Sequence, residues 1–150
     1  MARALIVGCG CRGRTLGREL LELGWAVRGT SRRTEGLAPI EAAGIEPALA
    51  EPERLATLLD LVGDVTAVFW LLGSATGTEE SLSAIHGPRL ERFLERLVET
   101  PVRRFIYEAG GSVDASILKR GADVVEAASA RWHIPVEVAG DPVGHADRYV

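Results

Sequence analysis

The stretch Ala4-Leu-Ile-Val-Gly8-Cys-Gly10-Cys-Arg-Gly13 joins a short apolar run to glycines in the spacing G-x-G-x-x-G. An apolar run such as Ala4–Val7 is typical of a parallel strand that is buried on both faces. Leucines then recur at helical spacing from about Arg12 to Leu23, and Gly24 stands where a glycine commonly ends a helix. The glycines therefore lie between a predicted strand and a predicted helix, which is the context that a dinucleotide-binding loop requires.

Each glycine has a separate task in such a loop. Gly8 would allow the tight turn, Gly10 would let the backbone approach a pyrophosphate, and Gly13 would let the helix pack closely on the strand. The free N–H groups of the first helical turn, beginning at Cys11, would face the pyrophosphate at the positive end of the helix dipole. A glycine-rich turn without a ligand is the alternative interpretation.

The residues after the predicted second strand, Trp25–Gly29, indicate which dinucleotide would bind. Domains that bind NAD usually place an Asp or Glu here, about 20 residues past the glycines, to bond the ribose hydroxyls. This chain has Thr30-Ser31-Arg32-Arg33, and the first carboxylate after them is Glu35. Because guanidinium groups make strong and specific contacts with phosphate, the pattern favours NADP(H) over NAD. Arg12 would add positive charge from within the loop, whereas a solvated turn is the alternative for the other two arginines.

Strand-like and helix-like segments alternate along the remaining sequence. Pro47 favours an edge position for the third strand, and Gly73–Gly87 is a long connection without a strong period, which in a compact domain is usually functional. The alternation predicts one α/β domain over residues 1–150, with a doubly wound parallel sheet of about six strands between two helix layers. The predicted elements are strands Ile45–Leu49, Ala67–Leu72, Val102–Ala109 and Ile134–Ala139, a helical turn Pro39–Ala43, helices that open near Pro52 and at Pro88, and a helix Ser116–Arg131.

The composition excludes several classes of protein. Hydrophobic residues make up 47% of the chain and charged residues 25%, which argues against disorder. A net charge of −4 predicts neither a nucleic-acid partner nor binding to an anionic membrane. The longest apolar run, Ala67–Leu72, is far shorter than the roughly 20 residues of a membrane span. We therefore expect a cytoplasmic protein, in which the N-terminal apolar residues form a strand rather than a signal peptide.

Both cysteines, Cys9 and Cys11, lie within the glycine loop. A structural zinc site needs about four ligands, and no His or Cys cluster elsewhere in the sequence completes one, so no metal is predicted. The cysteines are interpreted as small loop side chains. A redox-sensitive pair beside a helix N-terminus, where the thiolate is favoured, is the alternative.

Several stretches resemble the extended and atypical branches of the short-chain dehydrogenase/reductase superfamily, the proteins similar to NAD(P)-dependent epimerases and dehydratases. These stretches are Ala4–Leu23, Val27–Arg33, Ala67–Gly73 and Thr100–Ala109. The resemblance implies a Rossmann-type fold and a bound dinucleotide. It also implies that Leu72 and Gly73, at the end of the fourth strand, contact the cofactor.

The family's catalytic machinery is a Tyr-x-x-x-Lys pair on the helix after the fifth strand, with a Ser near that strand's end. Lys119 and Ser112 stand at matching positions, but Ala115 occupies the place of the tyrosine. Hydride transfer to a carbonyl needs a proton donor, which in this family is a Tyr beside a Lys. The chain also stops after the predicted sixth strand, where the family's substrate-pocket segment follows.

Other residues are weaker candidates for the missing proton donor. They are Glu108, Tyr107, His86 and, in the tail, Tyr149. The first three have structural alternatives: Glu108 as a polar strand end, Tyr107 as a core aromatic and His86 as a loop surface residue. Two function classes therefore stay open. One is a non-catalytic dinucleotide-binding domain, such as a redox-state sensor. The other is an NAD(P)-dependent oxidoreductase or epimerase-like enzyme that acts on an unknown small molecule in a pocket completed by a partner subunit. Small apolar residues along Ser116–Arg131 also predict a homodimer.

Overall fold

The computed structural model describes residues 2–150, so Met1 of the predicted domain lies outside the described residues. Six strands form one sheet in the order β3-β2-β1-β4-β5-β6, and all neighbouring strands are parallel. This arrangement confirms the predicted doubly wound parallel sheet, with the third strand at one edge. The strands are β1 (Arg3–Val7), β2 (Ala26–Ser31), β3 (Glu46–Leu49), β4 (Ala67–Trp70), β5 (Arg104–Glu108) and β6 (Val136–Ala139).

Helices cover both faces of the sheet and complete a three-layer structure. The helices are α1 (Cys11–Glu22), α2 (Leu37–Ala42), α3 (Leu55–Leu59), α4 (Glu79–Ile85), α5 (Pro88–Leu97) and α6 (Ala115–Trp132), with short 3-10 turns at Thr34–Gly36 and Ala146–Tyr149. The first two helices pack on one face with the C-terminal tail, and the other four pack on the opposite face. None of the helices within residues 2–150 has both the length and the apolar composition needed to cross a bilayer.

The core lies in two layers because successive side chains of a strand point to opposite faces. Leu5 and Val7 of β1 pack on the α5 side, whereas Ala4 and Ile6 pack on the α1 side. These side chains are all fully buried, which explains why the strand is a continuous apolar run in the sequence. An aromatic cluster fills the α5 side, where the Trp70 ring centroid lies 5.4 Å from that of Phe93 and 6.0 Å from that of Phe105.

Several predicted boundaries are wrong. β2 continues past Gly29, because Thr30 and Ser31 still pair with β3. Pro52 lies in the turn before α3 rather than in its first helical turn, since this helix begins only at Leu55. β4 ends at Trp70, two residues before the predicted end.

The predicted loop Gly73–Gly87 contains a helix, α4. The helix begins after Thr78, whose hydroxyl oxygen accepts a hydrogen bond from the Ser81 N–H at 3.0 Å. Glu79 and Glu80 occupy the first turn, where negative charge is favourable. A capping residue followed by two acids is a sequence signal for a helix start, but the short apolar pattern behind it hid the helix.

His86, which the sequence placed on a loop surface, is fully buried at the end of α4. Its Nε2 lies 2.9 Å from the Leu72 carbonyl oxygen, and its Nδ1 lies 2.7 Å from the Tyr107 hydroxyl. Because a carbonyl can only accept, Nε2 carries the proton. The Tyr107 hydroxyl, which has a single proton to donate, lies between His86 Nδ1 and the Leu118 carbonyl oxygen, the latter at 3.2 Å. Burial lowers the pKa of His86 and raises that of Tyr107, so both side chains are neutral. They join α4 to β5, and Tyr107 is the core aromatic that the sequence also allowed.

We predict that His86 makes the stability of the protein depend on pH. Because the folded-state pKa lies below the ordinary value of 6.5, the unfolded chain binds the proton first, and stability is lost as pH falls below that value. Between pH 7.5 and 5.5 the free energy of unfolding should fall by on the order of 1 kcal/mol. Denaturant unfolding of the wild type at both pH values measures this loss.

Two variants separate this effect from other titrations. His86→Gln should be less stable at pH 7.5 but should lose much less stability on acidification. His145→Gln, which changes an exposed histidine, should keep the wild-type pH dependence. An unchanged pH dependence in His86→Gln would show that another group is responsible.

Candidate functional site

A cleft of about 450 Å³ opens at the carboxyl ends of the strands beside β1, where the strand order reverses. In open α/β sheets this switch point is the general position for a ligand. The cleft is bounded by the glycine loop, the residues after β2 and the loop after β4. The predicted cofactor-contacting residues that line it are Gly8, Gly10, Cys11, Arg12, Gly13, Thr30, Ser31, Arg32, Arg33 and Leu72, and Gly73 lies between the lining residues Leu72 and Ser74.

The glycines of the loop are needed for different reasons. Gly8 has a φ of +87°, and a Cβ on it would lie 2.5 Å from the Leu71 carbonyl oxygen. A Cβ on Gly13 would lie 3.1 Å from the Gly8 carbonyl oxygen. At Gly10 a Cβ would meet nothing within 4 Å. The fold therefore requires glycine at the first position and leaves a tight space at the third, whereas the space in front of Gly10 is open.

The N-terminus of α1 faces this open space without a capping side chain. The first backbone hydrogen bond of the helix runs from the Arg14 N–H to the Gly10 carbonyl oxygen at 2.8 Å. The N–H groups of Cys11, Arg12 and Gly13 precede it, so they have no acceptor within the helix. The first turn carries no acidic residue and Gly10 offers no side-chain oxygen. This end of the helix can therefore accept an anion.

The hydroxyls of Thr30 and Ser31, at the end of β2, hold the backbone in place. The Thr30 hydroxyl oxygen accepts from the Gly8 N–H at 3.1 Å, and the Thr30 carbonyl oxygen accepts from the Cys9 N–H at 2.9 Å. The Ser31 hydroxyl donates to the Arg33 carbonyl oxygen at 2.8 Å and accepts from the Arg33 N–H at 3.1 Å. Thr30 thus braces the glycine loop and Ser31 shapes the turn, which are roles that the sequence did not indicate.

Positive charge gathers at the β2 end of the cleft. Arg32 and Arg33 are exposed and line the cleft, as does Arg14. The Arg32 guanidinium reaches across to the loop after β4 and donates to the Thr76 carbonyl oxygen at 3.2 Å. Of the residues in the range 2–150 that line the cleft, Glu108 alone carries a carboxylate. The side of the cleft next to β2 is therefore suited to a negatively charged group.

Glu108, at the end of β5, is only 1% exposed and has both carboxylate oxygens engaged. One oxygen accepts from the Gly73 N–H at 2.9 Å, and the other accepts from Arg12. The second terminal nitrogen of Arg12 donates to Asp141, just after β6. We call this ion-pair cluster of Arg12, Glu108 and Asp141 the arginine bridge. Arg12 therefore does not supply the unpaired positive charge that the sequence suggested.

The two cysteines lie in different environments. Both are free thiols, with Cys9 buried and Cys11 exposed. Burial raises the pKa of Cys9 to about 12, so its thiolate is disfavoured near neutral pH. A Cβ on Gly29 would lie 2.6 Å from the Cys9 sulfur, which shows how closely this side chain packs on β2. The interpretation of Cys9 as a small loop side chain agrees with the structure.

The structure does not bring the candidate catalytic residues together. Ser112 is exposed, and its N–H donates to the Ser74 hydroxyl oxygen at 3.1 Å. Lys119 is exposed on α6, where its amine lies 3.4 Å from an Asp123 carboxylate oxygen. It borders a second cavity, together with small residues such as Ala115 at the start of α6.

The two tyrosines proposed as proton donors also do not line the cleft. Tyr107 is buried under α6, where a Cβ on Gly121 would lie 2.0 Å from its hydroxyl oxygen. Tyr149 is buried on the α1 face, and its ring packs edge-on against Phe69 with centroids 5.5 Å apart. Tyr149 does not line the cleft of its own chain, and its role as a proton donor stays a prediction. Of the candidates, Glu108 alone lines the cleft.

We predict that Arg12→Ala destabilises the protein, because it leaves the Glu108 carboxylate buried without a cationic partner. Breaking a buried pair costs about 3–5 kcal/mol. Since the Arg12 side chain is 42% exposed, solvent weakens the pair, and a loss of about 2 kcal/mol is expected. Arg18→Ala removes an exposed arginine from the same helix and should cost less than about 0.5 kcal/mol. Urea denaturation of both variants at pH 7 measures the difference.

A double variant tests the cause of this loss. Adding Glu108→Gln to Arg12→Ala removes the buried charge and should recover part of the lost stability. Equal losses in Arg12→Ala and Arg18→Ala would contradict a structural role for the arginine bridge.

No protein-family model matches the chain, and no curated protein matches it in sequence. Solved structures do match its fold. A short-chain dehydrogenase/reductase superfamily protein from Agrobacterium tumefaciens with bound NAD has a TM-score of 0.73 and 19% identity, over 91% of this chain and 48% of that one. A UDP-glucuronic acid 4-epimerase from Bacillus cereus in complex with NAD has a TM-score of 0.69 and 16% identity, over 91% and 54%. Vestitone reductase from alfalfa has a TM-score of 0.70 and 17% identity, over 92% and 56%.

These matches agree in how much of each structure they cover. The chain spans about half the length of these solved structures, as the shares of 48%, 54% and 56% show. At this level of identity the likeness concerns the fold. The chain has the Rossmann fold of short-chain dehydrogenase/reductase and epimerase proteins, as the sequence resemblance implied.

Proposed function

We propose that this protein binds NADP(H) in the cleft beside β1 and does not act as an ordinary carbonyl reductase. One observation carries the binding proposal. The uncapped N-terminus of α1, the open space in front of Gly10 and the exposed guanidinium groups of Arg32 and Arg33 all border the same cleft. Helix N–H groups suit a pyrophosphate, and guanidinium groups suit a further phosphate.

The charges at the β2 end favour NADP(H) over NAD. NAD is usually held by a carboxylate that accepts from its ribose hydroxyls. Glu108 is the carboxylate that lines this cleft within residues 2–150, and it is engaged by Arg12 and Gly73. Arg32 and Arg33 stand beside the end of β2, where a 2′-phosphate would be bound. NAD is bound in solved structures of the same fold, so it is the alternative ligand.

The positions of the polar groups support a binding role rather than catalysis. Reduction of a carbonyl needs an acid that can donate a proton to the substrate. Tyr107 is buried away from the cleft, and Lys119 is exposed beside a different cavity. An enzyme whose pocket is completed by a partner subunit is the other proposal. It predicts turnover of aldehydes, ketones or quinones with NADPH, whereas the binding role predicts none.

Cytoplasmic location and a homodimer stay predictions from the sequence.

We predict that Gly10→Val abolishes binding of NADP(H) without unfolding the protein. The new side chain points into open space, so it strains no packing, but it blocks the approach of a pyrophosphate to the backbone. Isothermal calorimetry measures binding, and circular dichroism checks the fold. Gly63→Val is the control, because a Cβ there also meets nothing within 4 Å and the residue does not line the cleft. Unchanged affinity in folded Gly10→Val would refute binding at this loop.

We predict that the protein prefers NADP(H) to NAD(H) by at least about tenfold. A hydrogen bond to a charged phosphate contributes about 1.5–3 kcal/mol, and 1.4 kcal/mol corresponds to a factor of ten. Arg32→Ala/Arg33→Ala should remove this preference by weakening NADP(H) binding. The control Arg92→Ala/Arg96→Ala removes two exposed arginines of α5 and should change neither affinity. Equal affinities of the wild type for both dinucleotides would exclude selection by the 2′-phosphate.

A further inference from the structure

The cleft covers the carboxyl ends of β2, β1 and β4 and reaches Glu108, whereas the edge of the sheet is closed over β5 and β6. Beyond β4, β5 and β6 the chain continues through glycines whose backbones touch. A Cβ on Gly73 would lie 1.9 Å from the Gly110 carbonyl oxygen, and a Cβ on Gly110 would lie 2.5 Å from the Gly140 carbonyl oxygen. A Cβ on Gly111 would lie 2.1 Å from the Gly73 carbonyl oxygen. These segments leave no room for a methyl group, so the glycines serve backbone packing over this half.

The arginine bridge spans the same edge above these backbones. Arg12 starts in the glycine loop and reaches Glu108 after β5 and Asp141 after β6. Asp141 is also fixed, because the carboxylate oxygen that meets Arg12 accepts from the Val143 N–H at 3.0 Å. The bridge therefore joins the start of α1 to the ends of two strands in the second half of the sheet.

Arg12 is held in this position by the charge that it neutralises. Glu108 is almost completely buried, and without Arg12 its carboxylate would keep only the Gly73 N–H. Turning Arg12 towards a bound phosphate would leave that charge unpaired in the protein interior, which is strongly unfavourable. The phosphates of a bound ligand can instead bond to the helix N–H groups and to Arg32 and Arg33 at the β2 end. The bridge is thus expected to persist when a ligand binds.

The second cavity does not extend the cleft. It is lined by small residues of the segment after β5 and by α6, including Gly110, Gly111, Ala115 and Lys119. Within residues 2–150 it shares no lining residue with the cleft. Glu108 lines the cleft, whereas Gly110 and Gly111 line the second cavity.

We propose that the cleft recognises only the 2′-phospho-ADP-ribose half of NADP(H) and leaves the nicotinamide half in solvent. In the Rossmann fold the two mononucleotide halves of a dinucleotide lie over the two halves of the sheet. The open half carries the glycine loop, the helix N-terminus and the arginines, and the closed half carries the arginine bridge. The ligand class is therefore adenosine nucleotides with a 2′-phosphate and a 5′-pyrophosphate, and this inference rests on the proposed function.

Such recognition has a consequence for the role of the protein. Oxidised and reduced NADP differ only in the nicotinamide ring, so both forms bind equally when that ring is outside the site. A protein of this kind responds to the total amount of NADP and NADPH rather than to their ratio. It also cannot transfer a hydride to a substrate held beside the sheet.

Calorimetry with whole and truncated ligands tests the inference on the wild-type protein. NADP⁺, NADPH and 2′-phospho-ADP-ribose should bind with dissociation constants within about threefold of one another, which is less than the factor of ten given by 1.4 kcal/mol. Nicotinamide mononucleotide should not bind. The fluorescence of the reduced nicotinamide ring should stay unchanged when NADPH binds.

The possible failures can be told apart. Binding of NADP⁺ at least about ten times tighter than 2′-phospho-ADP-ribose would overturn this inference and leave the proposed function standing. Absence of binding by all three adenosine ligands would overturn both.

Two variants locate the contact. Arg32→Ala/Arg33→Ala should weaken NADP⁺ and 2′-phospho-ADP-ribose by the same factor, because the arginines border the half that both ligands share. Lys119→Ala, beside the second cavity, should change neither affinity. A loss of NADP⁺ affinity in Lys119→Ala without a loss for 2′-phospho-ADP-ribose would place the nicotinamide half in that cavity and overturn the inference.

Discussion

The architecture of the site depends on one turn, where the chain leaves β1 and enters α1. Gly8 adopts a left-handed conformation directly against the Leu71 carbonyl oxygen, at a place where a Cβ would lie 2.5 Å from that atom. The Thr30 hydroxyl accepts the Gly8 N–H and so ties the same turn to β2. The start of α1 is thereby fixed between β2 and β4. An uncapped helix end, with its aligned N–H groups, results at the switch point of the sheet.

From this turn the two halves of the carboxyl edge diverge. Towards β2 the chain presents hydroxyls that bond to the protein's own backbone and arginines that are exposed. Towards β5 and β6 it presents glycine backbones in contact and the arginine bridge above them. At the start of α1, the positive side chain of Arg12 is bound by two carboxylates, whereas the helix N–H groups remain available to an anion. The cleft is therefore asymmetric in charge, with exposed arginines near β2 and a neutralised arginine near β5 and β6.

The buried polar side chains of His86 and Tyr107 bond to each other and have a structural role. His86 and Tyr107 form a pair that joins α4 to β5. Burial lowers the pKa of His86 and raises the pKa of Tyr107, so the neutral form of each side chain is favoured. Lys119 is exposed beside another cavity, and its amine lies 3.4 Å from an Asp123 carboxylate oxygen. General acid catalysis needs a group that is both near the substrate and able to exchange its proton. Neither Tyr107 nor Lys119 lines the cleft.

Local patterns in the sequence determined much of the architecture. The alternation of apolar strands and amphipathic helices fixed the parallel sheet, because strands buried on both faces must be apolar throughout. The loop glycines and the arginines after β2 were also visible in the sequence, since their backbone geometry or charge depends on residue type and short spacing. The helix α4 was missed because its apolar period is weak, although Thr78 provides a capping signal for its start.

Contacts between distant segments decided the rest, and no local pattern encodes them. Glu108 meets Arg12 across 96 positions of sequence, and His86 meets Tyr107 across 21. A polar residue at a strand end reads the same in the sequence whether it faces solvent or a buried guanidinium. The sequence alone therefore determined the fold and the position of the glycine loop. Only the tertiary structure decided that Arg12 is neutralised and that half of the sheet edge is closed, because burial and pairing depend on which segments the folded chain brings together.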